Sequence, residues 1–178
     1  EARAASLSST ITLRESARGA RWIAQRFAPS PEAGTQADSS PLRVLIPTCR
    51  YTTFLQHAAR DLVAAFERLG CKAELLIEPD AHSQLSPVAY LEAIERVDPD
   101  LIVMINYTRA QLAGLVPVSV PVVCWVQDMM PHLFTTESGR AQGPVDFIAG
   151  HCAEELFTRY GYERSRAVAS PVVASEFK

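Results

Sequence analysis

The run Leu101-Ile102-Val103-Met104-Ile105 is apolar at every position, and Val122-Val123-Cys124-Trp125-Val126 repeats the pattern further along. A strand with one wet face alternates apolar and polar side chains. A run without alternation is buried on both faces, which is the condition of a strand inside a parallel sheet covered by helices. Each run is too short for a core helix, and both are rich in β-branched residues. The chain is therefore constrained to an α/β architecture.

The flanking segments agree. Arg43–Pro47 predicts a first strand, followed by Leu55, Ala58, Ala59, Leu62, Phe66 and Leu69 at helical spacing. Gly70 stands where a helix end needs positive φ. Ala73–Ile77 predicts a second strand. Ser86-Pro87 supplies an N-cap and a first-turn proline for a helix to about Val97, which stops at Asp98-Pro99-Asp100. A short helix is expected over 109–114, and an irregular stretch holding Pro131 and Gly139 follows the fourth strand. Asp146–Ala149 predicts a fifth strand, Ala153–Tyr160 a helix with Glu154 and Glu155 in its first turn, and Arg166–Ala169 a sixth strand. Strands alternating with helices imply right-handed crossovers. The expected fold is α/β, a Rossmann-like parallel sheet of about six strands with helices on both faces.

Before this domain, spanning 42–178, residues 1–28 predict an amphipathic helix. Leu13, Ala17, Ala20, Ala24 and Phe27 form one face, and Arg14, Arg18, Arg21 and Gln25 another. Packing against the chain's own body is the favoured use of such a helix; contact with a partner or a membrane surface is the alternative. Residues 29–41, with Pro29, Pro31, Gly34 and Pro41, predict a linker. A formal net charge of −3 carries no basic footprint for nucleic acid. No apolar run is long enough to span a bilayer. Cys49, Cys71, Cys124 and Cys152 show no C-x-x-C spacing, and with no signal-like start they predict reduced thiols in the cytoplasm.

Open parallel sheets bind ligands beyond the carboxyl ends of their strands. The residues there are Thr48–Thr53 after the first strand, Asn106–Arg109 after the third, Gln127, Asp128 and His132 after the fourth, Gly150 and His151 after the fifth, and Ser170 and Pro171 after the sixth. The loop at 48–53 has no glycine, so a close pyrophosphate cradle is not expected. Arg50, Thr52 and Thr53 offer an anion site at a helix start, with simple N-capping by threonine the favoured alternative. Thr48-Cys49 and Asn106 lack the acidic residues of a phosphorylated receiver domain. Asp128, directly after a buried tryptophan strand, is a candidate general base, and His132 a second one or the group that orients the aspartate. Capping of the next turn by Asp128, with His132 in solvent, is the plainer alternative. Asp128, His132, His151 and Cys152 match no standard metal spacing, so no metal is expected.

Arg43-Val44-Leu45-Ile46-Pro47, Asp98-Pro99-Asp100-Leu101-Ile102-Val103, Pro121–Asp128 and Asp146-Phe147-Ile148 with Glu155-Leu156 and Tyr160-Gly161 together resemble the N-terminal domain of GT-B glycosyltransferases. Pro121–Asp128 is similar to a segment of the CgeB-like, glycosyltransferase family 1-type group. The resemblance covers roughly residues 42–178. It implies transfer of a sugar from a nucleotide sugar, with this domain on the acceptor side. It also implies a separate C-terminal domain for the donor, expected to begin about where this sequence ends, so this segment alone would be inactive and hold no cofactor. On that resemblance Asp128 and His132 are the catalytic candidates. Thr48, Arg50, Tyr51, Asn106, Tyr107 and His151 would line the acceptor side. A non-catalytic ligand-binding or protein-interaction module on the same half-fold is the alternative.

Overall fold

The two all-apolar runs are central strands of one parallel sheet. The computed structural model describes residues 1–12, 40–50, 52–80, 82–112 and 114–168. In chain order the elements are a helix over residues 2–12 (α1), β1 (Arg43–Thr48), α2 (Thr53–Arg68), β2 (Lys72–Ile77), α3 (Pro87–Val97) and β3 (Leu101–Ile105). Then come β4 (Val122–Val126), α4 (Thr136–Arg140), β5 (Phe147–Gly150), α5 (Glu154–Arg159) and β6 (Ser165–Ala167). Single 3-10 turns occupy Arg109–Leu112 and Pro131–Leu133. The strand order is β2-β1-β3-β4-β5-β6, and every neighbouring pair is parallel. The chain steps from β1 out to β2, then returns past β1 to β3. The crevice between the carboxyl ends of β1 and β3 is therefore the topological switch point.

Alternation along the strands feeds both faces. Leu45, Ile102, Met104 and Val122 join a core with Leu91 and Ile94 of α3 and Ile11 of α1. Val44, Ile46, Val103, Ile105 and Trp125 join one with Leu55, Ala58 and Ala59 of α2. Cys124, Val126 and Ile148 pack on Leu133, Phe157 and Tyr162. Leu45, Phe157 and Leu133 are wholly buried, and full burial of such a side chain contributes about 1.5–3 kcal/mol.

The helix ends follow their signals. Thr52 accepts from the Leu55 amide and Ser86 from the Ala89 amide. Past α2, the Gly70 amide donates to Glu67 and the Cys71 amide to Phe66, with Gly70 at φ +80°. That is the Schellman pairing that glycine permits. Asp98-Pro99-Asp100 has a structural purpose. Asp100 accepts from the Arg43 backbone amide at 2.8 Å and from its guanidinium, and Asp98 accepts from Nη1 at 2.6 Å. This clamp ties β1 to β3 at the end of the sheet opposite the switch point.

The structure moves some expected boundaries. β2 starts at Lys72, β5 runs one residue later than expected, and β6 covers only Ser165–Ala167. The helical turn after β3 ends at Leu112. The stretch after β4, expected to be irregular, contains a 3-10 turn and α4. Thr135 caps α4 by accepting from the Ser138 amide. Gly139 lets α4 lie against the Tyr160 carbonyl, which any Cβ at this position would strike. At the amino terminus, Ile11 is buried and Ala4 and Leu7 pack on the same core, so α1 lies on its own protein. Arg3 pairs with Glu92 of α3. The faces expected at Leu13–Phe27, most of the linker, Tyr51 and the residues from Ala169 onward lie outside the described residues. No described helix is long and apolar enough to cross a membrane.

Candidate functional site

Asn106 follows β3 with its backbone at φ +59°, a left-handed conformation that asparagine tolerates better than most residues. It is 3% exposed. Its Oδ1 accepts from the backbone amides of Gln127 at 2.8 Å and Asp128 at 3.0 Å. Its Nδ2 donates to Asp128 Oδ2 at 3.0 Å. Its own carbonyl lies 2.8 Å from His132 Nε2. A carbonyl oxygen only accepts, so Nε2 carries the hydrogen, and Nδ1 is the acceptor whenever the ring is neutral. Asp128 is exposed and His132 half-buried. Two groups able to take a proton thus hang from one buried residue.

The turn carrying His132 is held from behind. Ser138 Oγ donates to the His132 carbonyl at 2.6 Å, and Tyr162 Oη donates to the Leu133 carbonyl at 2.7 Å. Tyr107 sets its ring beside the imidazole, with centroids 5.3 Å apart. Burial, with Cys49 and Glu78 nearby, pushes the Tyr107 phenol up. Tyr90 of α3 faces the same groups, and burial pushes its phenol up to about 12. Gly150 ends β5 where a Cβ would lie 2.6 Å from the Cβ of Val126, so glycine is needed for β4 and β5 to close at this end.

Gln127 supplies an unusual feature. Its Oε1 is buried without a hydrogen-bond partner among the described residues. An acceptor left unpaired in a protein interior costs about 1–3 kcal/mol.

The expected site residues do not all assemble. Asn106, Tyr107, Asp128 and His132 come together. Asp128 is oriented by Asn106, and His132 is bonded to the Asn106 carbonyl, so the expectation that His132 orients the aspartate is corrected. The alternative of Asp128 as a side-chain cap is also set aside, because the following turn uses its backbone carbonyl, accepting from the Met130 amide. Thr48 ends β1 and is buried at 8% exposure. Arg50 is turned toward β2: its amide donates to Glu78 Oε2 at 2.8 Å and its Nε to the Glu78 carbonyl at 2.7 Å. Thr52 caps α2, which is N-capping by threonine and not an anion site. His151 lies exposed beyond β5, and no described hydrogen bond joins it to the cluster. Glu78 and Tyr90 belong to the surroundings of the switch point and were not expected there. The only signal for Glu78 was its place directly after a strand; Tyr90 sits in a helix whose spacing reads as core.

Arg109 has a different fate. Its Nε and Nη2 donate to the two Asp146 oxygens at 2.6 and 2.7 Å, and its remaining donors reach the carbonyls of Val116, Pro117 and Val120. Asp146 also accepts from the amides of Val122 and Gly143. A small, partly open pocket of about 10 Å³ lies against this network, bordered by Thr108, Cys124 and Tyr162, room for about one water. Burial pushes the Cys124 and Cys152 thiols up, which disfavours the nucleophilic thiolate at both. Among the described residues no three His, Cys, Asp or Glu side chains gather in a metal-holding group. Comparison with protein-family models, curated proteins and solved structures returns no match for this chain.

Proposed function

We propose that this chain is the acceptor-side domain of a GT-B glycosyltransferase, which moves a sugar from a nucleotide sugar to an acceptor hydroxyl. The observation that carries the reading is the hydrogen-bonded set Asp128–Asn106–His132 beside the switch point of a β2-β1-β3-β4-β5-β6 parallel sheet. The sequence resemblance over Pro121–Asp128 supports it. In the reaction, the acceptor oxygen bonds to the anomeric carbon of the donor sugar. The bond from that carbon to the diphosphate oxygen breaks, and its electron pair leaves with the nucleoside diphosphate. The acceptor proton passes to Asp128, whose Oδ1 is the oxygen not engaged by Asn106. Tyr107 supplies a ring for the sugar face and a phenol donor. The donor is held by a second domain, and the cytoplasmic location expected from the thiols is part of the same reading.

Loss of a general base costs about 10²–10⁴ in rate. In the full-length polypeptide, Asp128→Asn should lower release of nucleoside diphosphate from a panel of nucleotide sugars by that factor and leave the fold intact. Undiminished transfer by the variant contradicts the role given to Asp128.

A second reading is a non-catalytic binding module. It draws on Phe54, Tyr107, Met129 and Met130, large apolar side chains that are 38–65% exposed at the same end of the sheet. Under it, the wild-type full-length protein binds its ligand at these residues and releases no nucleoside diphosphate.

A further inference from the structure

We infer that Asn106 is the positioning residue of this site: through one buried side chain and one carbonyl it aims the Asp128 carboxylate and fixes His132 as the Nε2–H tautomer, leaving Nδ1 as the proton acceptor. The importance of that arrangement for sugar transfer rests on the function proposed above; the geometry itself does not.

Three features of Asn106 act together. Its left-handed backbone turns the carbonyl toward the 3-10 turn at Pro131–Leu133, where it meets Nε2 at 2.8 Å. Its Oδ1 takes both amides that open the loop after β4, so Gln127 and Asp128 cannot rotate independently of β3. Its Nδ2 then holds Asp128 Oδ2. An asparagine is the residue that serves all three needs: aspartate has no Nδ2 donor, glutamine is a methylene longer, and glycine has the backbone but not the amide. The Asn106 amide also donates to the Trp125 carbonyl at 2.9 Å, continuing the β3–β4 ladder into the site. The residue continues the sheet, while Asp128 lies on the loop after β4 and His132 on the 3-10 turn that follows it. Order therefore passes from the rigid element to the two candidate proton acceptors.

The contribution of an ordinary hydrogen bond corresponds to about a fivefold change in an equilibrium, and shared or charge-assisted ones to more. In the full-length protein labelled with ¹⁵N at histidine, two-bond ¹H–¹⁵N correlation above the ordinary imidazole range should report His132 protonated on Nε2. The His132→Asn spectrum assigns the signal by its disappearance. Amide exchange supplies the second measurement. Asn106→Gly keeps the backbone conformation and the carbonyl, so the His132 tautomer should persist while the Gln127 and Asp128 amides exchange about tenfold faster than in wild type. Asn106→Asp keeps an acceptor for both amides and should restore their protection. In the same variant Asp128 loses its donor, and its side-chain resonances should move.

A wild-type His132 protonated on Nδ1 overturns the inference. So does unchanged exchange of both amides in Asn106→Gly. None of these readouts involves a substrate. Failure here with sugar transfer intact removes Asn106 from the mechanism, whereas success here without sugar transfer overturns only the proposed function.

Discussion

Asn106 and Arg109 leave β3 three residues apart, both polar and both at the strand end where a ligand is expected. Asn106 is spent holding two other side chains toward solvent. Arg109 is spent inward: its guanidinium is paired with Asp146 and three backbone carbonyls, and its side chain is 11% exposed. One cluster leaves Asp128 and the Nδ1 of His132 available for chemistry, and the other has no capacity left. The difference is one of satisfaction. A buried polar group whose bonds are all made holds loops in place, while exposed groups aimed by a buried one can act on something else.

The largest test of that contrast is on the closed side. Removing one partner from a buried ion pair costs about 3–5 kcal/mol, so Asp146→Ala should lower the urea midpoint severely or prevent folding. Replacing both partners, Arg109→Met with Asp146→Leu, should be milder than the single change. Equal losses in the single and double variants would mean that the orphaned amides of Val122 and Gly143, not the uncompensated charge, dominate.

On the open side, alkaline pH gives the next effect. The Tyr90 phenol is raised from 10.0 to about 12. Between those values the folded state binds more protons than the unfolded state, so stability is full below pH 10 and falls as pH rises toward 12. The loss is on the order of 2 kcal/mol. Urea melts across that range should show it, and Tyr90→Phe should flatten the slope.

Smaller still is Tyr162→Phe, which removes the donor to the Leu133 carbonyl. It should cost about 1 kcal/mol, read as a small fall in melting temperature. The smallest is Asp128→Asn. On an exposed loop it should change stability by no more than about 0.5 kcal/mol, although its activity should collapse. A large stability loss here would erase the distinction between the two clusters.

Sequence carried the sheet well, for a physical reason. β3 and β4 match their apolar runs residue for residue, because burial on both faces leaves no polar position to blur the ends. α3 is equally legible because Ser86 and Pro87 mark its start in local chemistry. α4 was not legible: Thr-Glu-Ser-Gly-Arg has no apolar stripe, and the helix exists because Thr135 caps it and Gly139 admits the Tyr160 backbone from another element. The site was half legible. Asn106, Asp128 and His132 could be named from their positions after strands. Nothing local revealed that Asn106 would be the anchor, because its partners lie 21–26 residues away. The pairing of Arg109 was hidden for the same reason, since Asp146 is 37 residues distant.

We propose that the open cluster is an acceptor site for sugar transfer with Asp128 as its base. The most direct measurement is nucleoside diphosphate release by the full-length protein from a panel of nucleotide sugars, comparing wild type with Asp128→Asn. Turnover by wild type, reduced at least about a hundredfold in the variant with an unchanged melting temperature, is the predicted result. Equal turnover by the two proteins, or none by either, contradicts it.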